Sequence, residues 1–375
     1  MPLKLLAFVG TRPEANKMAP VIRALRGRAG VECRLVATGQ HRDLLQPMLD
    51  VFQLTPDFQY DVMTEDQAAT AVFESVLHLA SEVIERERPD WVLVQGDTAT
   101  AAAASLAAYL AHVKLGHVEA GLRTYDRQRP FPEEVFRRIA DLVADAYFAP
   151  TERARQNLLA EGCPEAAVHV TGNTVVDALY QVRDWLADTP ERTPSLPEPA
   201  AGKRIVLVTV HRRESFGEPL ARICDALFAI ADGLDDASRV VCTVHPNPNV
   251  ANVLRERLGA HERISLIEPL DYLDFVALMR DCYLILTDSG GIQEEAPAFG
   301  KPVLVLRDVT ERPEAVEAGV ARLVGTDIDA IVRETRLLLS DAAAYESMAR
   351  PPGQINPFGD GHAAPRIADI LTRDS

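Results

Sequence analysis

The sequence predicts an α/β protein with mostly parallel sheets, arranged as two consecutive halves. Short apolar runs recur along the chain and stop at glycines or polar residues, as buried parallel strands do. Helical stretches alternate with them, the β-α-β-α rhythm of a parallel sheet. The rhythm breaks at Asp188–Gly202, DTPERTPSLPEPAAG, and then restarts. Prolines and few large apolar residues mark that stretch as a surface connection near a domain boundary.

In chain order, Leu3–Val9 is the first strand. It is followed by a loop, Gly10-Thr-Arg12-Pro-Glu14-Ala-Asn16-Lys17, and a helix from about Ala19 to Arg28. The unit resembles the start of a Rossmann-type domain, but Gly10 stands alone and no G-x-G-x-x-G is present, so a dinucleotide is not expected. Arg12 and Lys17 flank the loop, where they could hold a diphosphate or be solvated surface charges. Cys33–Ala37 is a strand ending in Thr38-Gly39-Gln40-His41, and Asp66–Arg86 has helical periodicity. The Trp91–Val94 strand ends at Gly96-Asp97, Thr98–Ala111 is Ala-rich and helical, and Val113–Val118 delivers Glu119. An Arg- and Pro-rich loop then ends in Pro132-Glu133-Glu134. Further short strands are expected at Ala146–Pro150 and His169–Val170, with a helix at Glu152–Leu159 between them. In the second half, strands are expected at Arg204–Val210, Arg239–Val244, Ile264–Ile267, Tyr283–Thr287, Pro302–Leu306 and Ala321–Val324. A last helix covers about Ala364–Thr372.

The 375 residues suffice for two cores. A net charge of −16 supplies no basic field for nucleic acid, and no segment is long and apolar enough to span a bilayer. The first residues do not read as a signal peptide, and a cytoplasmic protein is expected. The five cysteines are widely spaced, without a CxxC pair, and are expected to be reduced, mostly buried core residues. No H-x-H or H-E-x-x-H pattern appears, so no metal is predicted.

In an open α/β sheet, ligands sit beyond the carboxyl ends of the strands. Asp97 and Glu119 are expected to face one crevice there, with Arg123 nearby and Glu133 folded back by its loop. Three carboxylates so placed suggest acid/base chemistry. The competing reading makes Asp97 the cap of the following helix and Glu133 a first-turn charge. In the second half, Ser289-Gly290-Gly291 follows a strand and opens a helix, Ile292–Phe299. The glycines leave backbone N–H groups open to an anion, Ser289 adds a hydroxyl, and Glu295 lies one turn along, where it could accept from ribose hydroxyls. Arg312 echoes this clamp in the next loop, and His211 and His245 stand at neighbouring strand ends.

The stretches GTRPEANKMAPVI (10–22), TGQHRDLL (38–45), QGDT (95–98), HVEAGLRT (117–124), FPEE (131–134), VTVHRRES (208–215), TDSGGIQEEAP (287–297) and RDVTERPEAV (307–316) closely resemble the non-hydrolysing UDP-N-acetylglucosamine 2-epimerases. The resemblance implies two Rossmann-like domains facing a cleft, the glycosyltransferase-B arrangement, and a homodimer. It implies an N-terminal domain at 1–172 carrying the carboxylates, a UDP-binding domain at 173–361, and a helix at 362–375 packed back on the first. It further implies catalytic acids at Asp97, Glu119 and Glu133, and a diphosphate contact from His211. Arg12, Lys17, Leu270, Phe275, Ser289, Gly290, Gly291, Glu295 and Arg312 are the implied nucleotide contacts, with no cofactor. Leu270 stands where some relatives have Gln. Phe136 replaces an Asn in the pattern P-E-E-x-N-R. Relatives regulated by a second UDP-sugar hold it partly through the positions of Gln40 and His41, for which His245 is a further candidate. They also use a polar residue and an Arg where this chain has Asp43 and Asp66.

Rival expectations are a transferase of the same fold, an epimerase that hydrolyses its substrate, and a sensor that binds a UDP-sugar without turning it over. The trio of acids disfavours the first and third.

Two carboxylates at 43 and 66 would repel a second diphosphate sugar. Turnover of pure UDP-N-acetylmannosamine, which contains no gluco epimer, is therefore expected to start at time zero. A lag abolished by small additions of UDP-N-acetylglucosamine in an initial-rate assay would refute this.

Overall fold

The computed structural model describes residues 2–39, 42–62, 69–189, 200–349 and 356–373. Gln40, His41 and Asp66 lie outside the described residues, as does the side chain of Asp43. The chain divides into two compact units, Met1–Ala178 with Phe358–Ser375, and Leu179–Pro357.

The first unit runs β1 (Leu3–Val9), α1 (Arg12–Arg26), β2 (Val31–Ala37), α2 (Arg42–Val51), β3 (Phe58–Gln59), α3 (Ala69–Glu87), β4 (Trp91–Gln95), α4 (Ala99–Leu110), β5 (Lys114–Val118), α5 (Glu133–Val143), β6 (Ala146–Ala149), α6 (Glu152–Ala160), β7 (Val168–Val170) and the start of α7 (Thr174–Asp188), which passes into the second unit at Leu179. Its sheet is wholly parallel, in the order β3-β2-β1-β4-β5-β6-β7. The second unit runs β8 (Arg204–Val210), α8 (Glu218–Asp232), β9 (Ser238–Val244), α9 (Pro248–Leu258), β10 (Ile264–Ile267), α10 (Tyr272–Asp281), β11 (Leu284–Thr287), α11 (Gly290–Glu295), β12 (Val303–Val305), α12 (Pro313–Glu317), β13 (Ala321–Leu323), α13 (Ile328–Ser340) and α14 (Ala342–Met348). Its parallel sheet has the order β10-β9-β8-β11-β12-β13. In each sheet the strand order turns back at one place, between β1 and β4 and between β8 and β11.

Both sheets carry fully buried runs, AFV in β1 and VLVTV in β8, as strands covered on both faces must. Four of the five cysteines are buried and all are free. Two expected elements are corrected. The segment after β1 is not a loop to residue 17: α1 begins at Arg12, because Glu14 accepts from the Thr11 N–H (2.7 Å) and Pro13 pre-sets the first turn. Lys17 is thus a helical residue. The expected Ile292–Phe299 helix starts earlier, at Gly290, and gives way to a tight 3₁₀ turn at Ala296–Phe299, where Pro297 cannot donate.

The final helix, α15 (Ala363–Thr372), belongs to the first unit and packs on α1, with Ala364, Ile367, Ala368 and Leu371 buried. His362, at its N-cap, makes no side-chain cap bond. Asp177 of α7 supplies that cap instead, accepting from the N–H of Ala363 (3.1 Å) and Ala364 (2.8 Å). Arg28 and Asp369 pair at the other end. Asp177→Ala is expected to cost about 1–2 kcal/mol locally. Hydrogen exchange should show faster opening of α15, with β8–β9 unchanged.

Candidate functional site

The carboxyl ends of β1, β4 and β5 gather the first group of residues. Gly10 follows β1, and a Cβ there would lie 2.2 Å from Thr100 Oγ1 and 2.7 Å from Thr38 Oγ1. The glycine thus permits close packing of the strand end on α4, a reason for one glycine without a dinucleotide fingerprint. Gly96, at φ +70°, turns the chain after β4 and presents Asp97. Thr98 caps α4, accepting from Ala101 N–H at 3.0 Å, so Asp97 is not the cap. Asp97, about one third exposed, pairs with Arg137 of α5. That pair ties α5, one turn past Glu133, to the Asp97 turn.

Glu119 ends β5 in the left-handed region (φ +66°), an unfavourable conformation for a residue with a Cβ. It is buried, accepts from Gln95 Nε2 (2.9 Å) and pairs with Lys17. A backbone held against its preference by specific partners is a mark of functional sites. The two glutamates of FPEE divide their roles. Glu134 is fully buried and accepts from the N–H of Thr124 and Tyr125, both at 3.1 Å, which folds the Arg- and Pro-rich loop over. Glu133 is half-buried, and its Oε2 is buried with no hydrogen-bond partner among the described residues. Such an oxygen is expensive unless something else binds it.

Several contributors were not legible in the sequence. Gln95, which positions Glu119, sits inside a strand-like run. Arg123, expected near the acids, is committed elsewhere: it binds Asp141 at 2.7 Å and forks onto Glu161 at 2.8 and 2.9 Å. Glu14 is buried below the site. Its Oε2 accepts from the Gly10 and Thr11 N–H groups and the Thr11 hydroxyl, and its Oε1 from the Thr98 hydroxyl at 2.6 Å. It ties the start of α1 to the residue after Asp97. The signal was available as a Glu three residues past a helix cap. Phe136, the departure from the P-E-E-x-N-R pattern, stacks on Phe73 (6.0 Å between centroids) and joins the small cluster of Val72, Val76, Ala99 and Ala103. Arg12 is exposed on the first turn of α1.

In the second unit the candidates gather at β8 and β11. Asp288 is fully buried and accepts from the N–H of His211 (3.1 Å) and Arg212 (2.9 Å) and the hydroxyl of Ser215 (2.9 Å). It fixes the β8 loop against β11. His211 stacks on His245, 5.8 Å between ring centroids. Ser289 opens α11 without spending its hydroxyl on the cap. A Cβ on Gly290 would lie 3.3 Å from Arg212 Nη2. Arg312 pairs with buried Glu294, while Glu295 is half-exposed on the same short helix. Arg307 binds Glu311 through both terminal nitrogens, at 2.7 and 3.0 Å. Burial pushes the Glu311 carboxyl up, but Arg307 and Arg212 outweigh it and bring it to about 2. Leu270 precedes α10 and Phe275 lies on its first turn, both partly buried. Among the described residues, no group of three or more His, Cys, Asp or Glu is arranged to hold a metal. No helix among them is long and apolar enough to cross a membrane.

The family model described as UDP-N-acetylglucosamine 2-epimerase matches residues 23–372. A Ralstonia solanacearum relative is 52% identical over 372 residues, covering 98% of each chain. The UDP-N-acetylglucosamine 2-epimerase of Yersinia pestis is 48% identical over 373 residues, again 98% of each. The crystal structure of the Neisseria meningitidis enzyme of that name, bound to UDP-GlcNAc, superposes with a TM-score of 0.90 at 41% identity, covering 98% of this chain and 99% of that one.

Burial raises the Glu14 carboxyl from 4.5 to about 7, against the pull of its four hydrogen bonds. A folded pKa above the unfolded one favours folding while the group is protonated. That stabilisation is full below 4.5 and is lost as pH rises through about 7. The shift corresponds to roughly 3 kcal/mol. The stability of the native chain relative to Glu14→Gln should therefore fall between those pH values and be flat above them. Urea titrations at several pH values would show it, and a flat difference throughout would contradict it.

Proposed function

Because the chain belongs to the UDP-N-acetylglucosamine 2-epimerase family, we propose that it interconverts UDP-N-acetylglucosamine and UDP-N-acetylmannosamine without hydrolysing either. The observation that carries this reading is Asp97 and Glu119 at the ends of adjacent strands β4 and β5, with Arg137 of α5 bringing the Glu133 turn to Asp97. C2 of the sugar carries an N-acetyl group and a C–H bond of very low acidity. Oxidation to a ketone is therefore closed, and deprotonation alone is too costly. A workable route removes the C2 proton as the C1–O bond breaks, with UDP leaving on the electron pair and a 2-acetamidoglucal remaining. UDP then returns to C1 while a proton arrives on the opposite face of C2. This needs a base, an acid on the other face and a hold on the departing diphosphate.

Asp97 and Glu133 are assigned to proton transfer at C2. Glu119 positions the sugar or serves as the other acid. His211, Ser289, Gly290, Gly291 and Arg312 hold the diphosphate. Arg12, Lys17, Leu270, Phe275 and Glu295 contact the nucleotide. The first unit is the domain of the acids and the second that of UDP. The protein is proposed to act as a cytoplasmic homodimer. Exposed Tyr109, Leu110 and Leu142, on α4 and α5, support a partner surface.

Proton NMR in D2O should show deuterium entering C2 as the manno epimer accumulates, with neither NAD nor metal added. An acceptor-dependent reaction without exchange at C2 would overturn the reading, and release of free N-acetylmannosamine would mark hydrolysis. Asp97→Asn, Glu119→Gln and Glu133→Gln should each lower kcat by ~100-fold or more while UDP binding persists. Arg312→Ala or Ser289→Ala should instead weaken UDP binding.

A further inference from the structure

His117 lies inside β5, two residues before Glu119, and is fully buried. Its Nδ1 is 2.6 Å from Asp141 Oδ1, and its Nε2 is 2.8 Å from the carbonyl oxygen of Gly96. A carbonyl oxygen has no proton to give. The Asp141 carboxyl is fully buried, which by itself raises its pKa. The Arg123 guanidinium paired with it favours the ionised form. Its Oδ2 accepts from Arg123 Nη2 (2.7 Å) and the Gly121 N–H (3.2 Å). Both ring nitrogens of His117 therefore face acceptors. A neutral imidazole carries only one N–H and would set a lone pair against an oxygen in a fully buried site. The ring satisfies both contacts only as an imidazolium. The cluster then sets His117, Arg123 and the partly exposed Arg138 against Asp141 and Glu161.

This ring joins three segments, each of which bears one of the acids. Glu119 directly follows its strand. Gly96, which precedes Asp97, has its carbonyl bound by the ring and its N–H bound by the carbonyl of Val118 (3.0 Å). Asp141 lies on α5, the helix that begins with Glu133. We propose that His117 is a cationic positioning residue that, through Asp141 and the Gly96 carbonyl, holds the turn of Asp97 and the helix of Glu133 in register with Glu119. The role rests on the reading that these acids carry the proton transfers.

The protonation state is tested first on the native protein, by ¹⁵N NMR of histidine-labelled enzyme at pH 8. Ordinary histidines are neutral there. One of the nine should show both ring nitrogens protonated, and that signal should vanish in Asp141→Asn. A spectrum with only neutral rings overturns the inference and requires no variant to fold. Kinetics test the positioning. His117→Gln and Asp141→Asn should each lower kcat by ~10- to 100-fold through misplacement, with KM changed less than about twofold. Neither should lower the rate further when Asp97 is already Asn, because residues acting as a unit are not additive. Effects that multiply, or that fall on KM alone, would overturn the positioning role. Full activity of Asp97→Asn by itself would overturn the catalytic reading and the positioning role with it, whereas a neutral His117 beside an essential Asp97 would overturn only the present inference.

Discussion

A parallel sheet that begins in its middle must reverse its strand order once. At that reversal, the connections from neighbouring strands leave toward opposite faces and cannot cover the strand ends. This one constraint places nearly everything of functional interest. In the first unit the reversal lies between β1 and β4, and Gly10, Glu14, Asp97 and Lys17 surround it. In the second it lies between β8 and β11, and His211, Asp288 and Ser289 stand there. The same geometry brings short loops, helix N-termini and buried carboxylates together without any specialised insertion.

The two reversals carry opposite chemistries. The first is rich in acids, and two of them are answered by a cation from another element: Lys17 for Glu119 and Arg137 for Asp97. Buried ion pairs are poor sources of stability, because desolvation offsets most of their attraction. Their presence here fits a site that must keep carboxylates aimed. The second reversal offers donors, with backbone N–H groups, hydroxyls, imidazoles and guanidinium groups close by. Its buried acids are held from within the unit: Asp288 by the β8 loop and Glu294 by Arg312.

The strands were legible in the sequence because fully buried parallel strands are uninterrupted apolar runs. β1, β8 and β10 have the expected limits. Asp97 and Glu119 were legible because they follow such runs. What escaped was set by side-chain pairing across long separations. The commitment of Arg123 to Asp141 and Glu161 depends on α5 and α6 packing beside β5, which no local pattern reports. The early start of α1 escaped for a different reason: Arg12, Pro13 and Lys17 read as loop residues, while the cap that begins the helix depends on a single carboxylate, Glu14. Helices such as α7, α8 and α13 carry no diagnostic motif.

The return of α15 to the first unit has a consequence for how the protein is made. The strip of α1 that it covers belongs to a unit whose other elements precede Leu179. During synthesis from the amino end, that unit can assemble its sheet early. Its apolar strip must then stay open while about 180 further residues are added, at a time set by the ribosome's rate of a few to some twenty residues per second. The second unit faces no such wait, since its elements are contiguous. Early release of the nascent chain would therefore leave a folded second unit beside a first unit with an uncovered, adhesive flank.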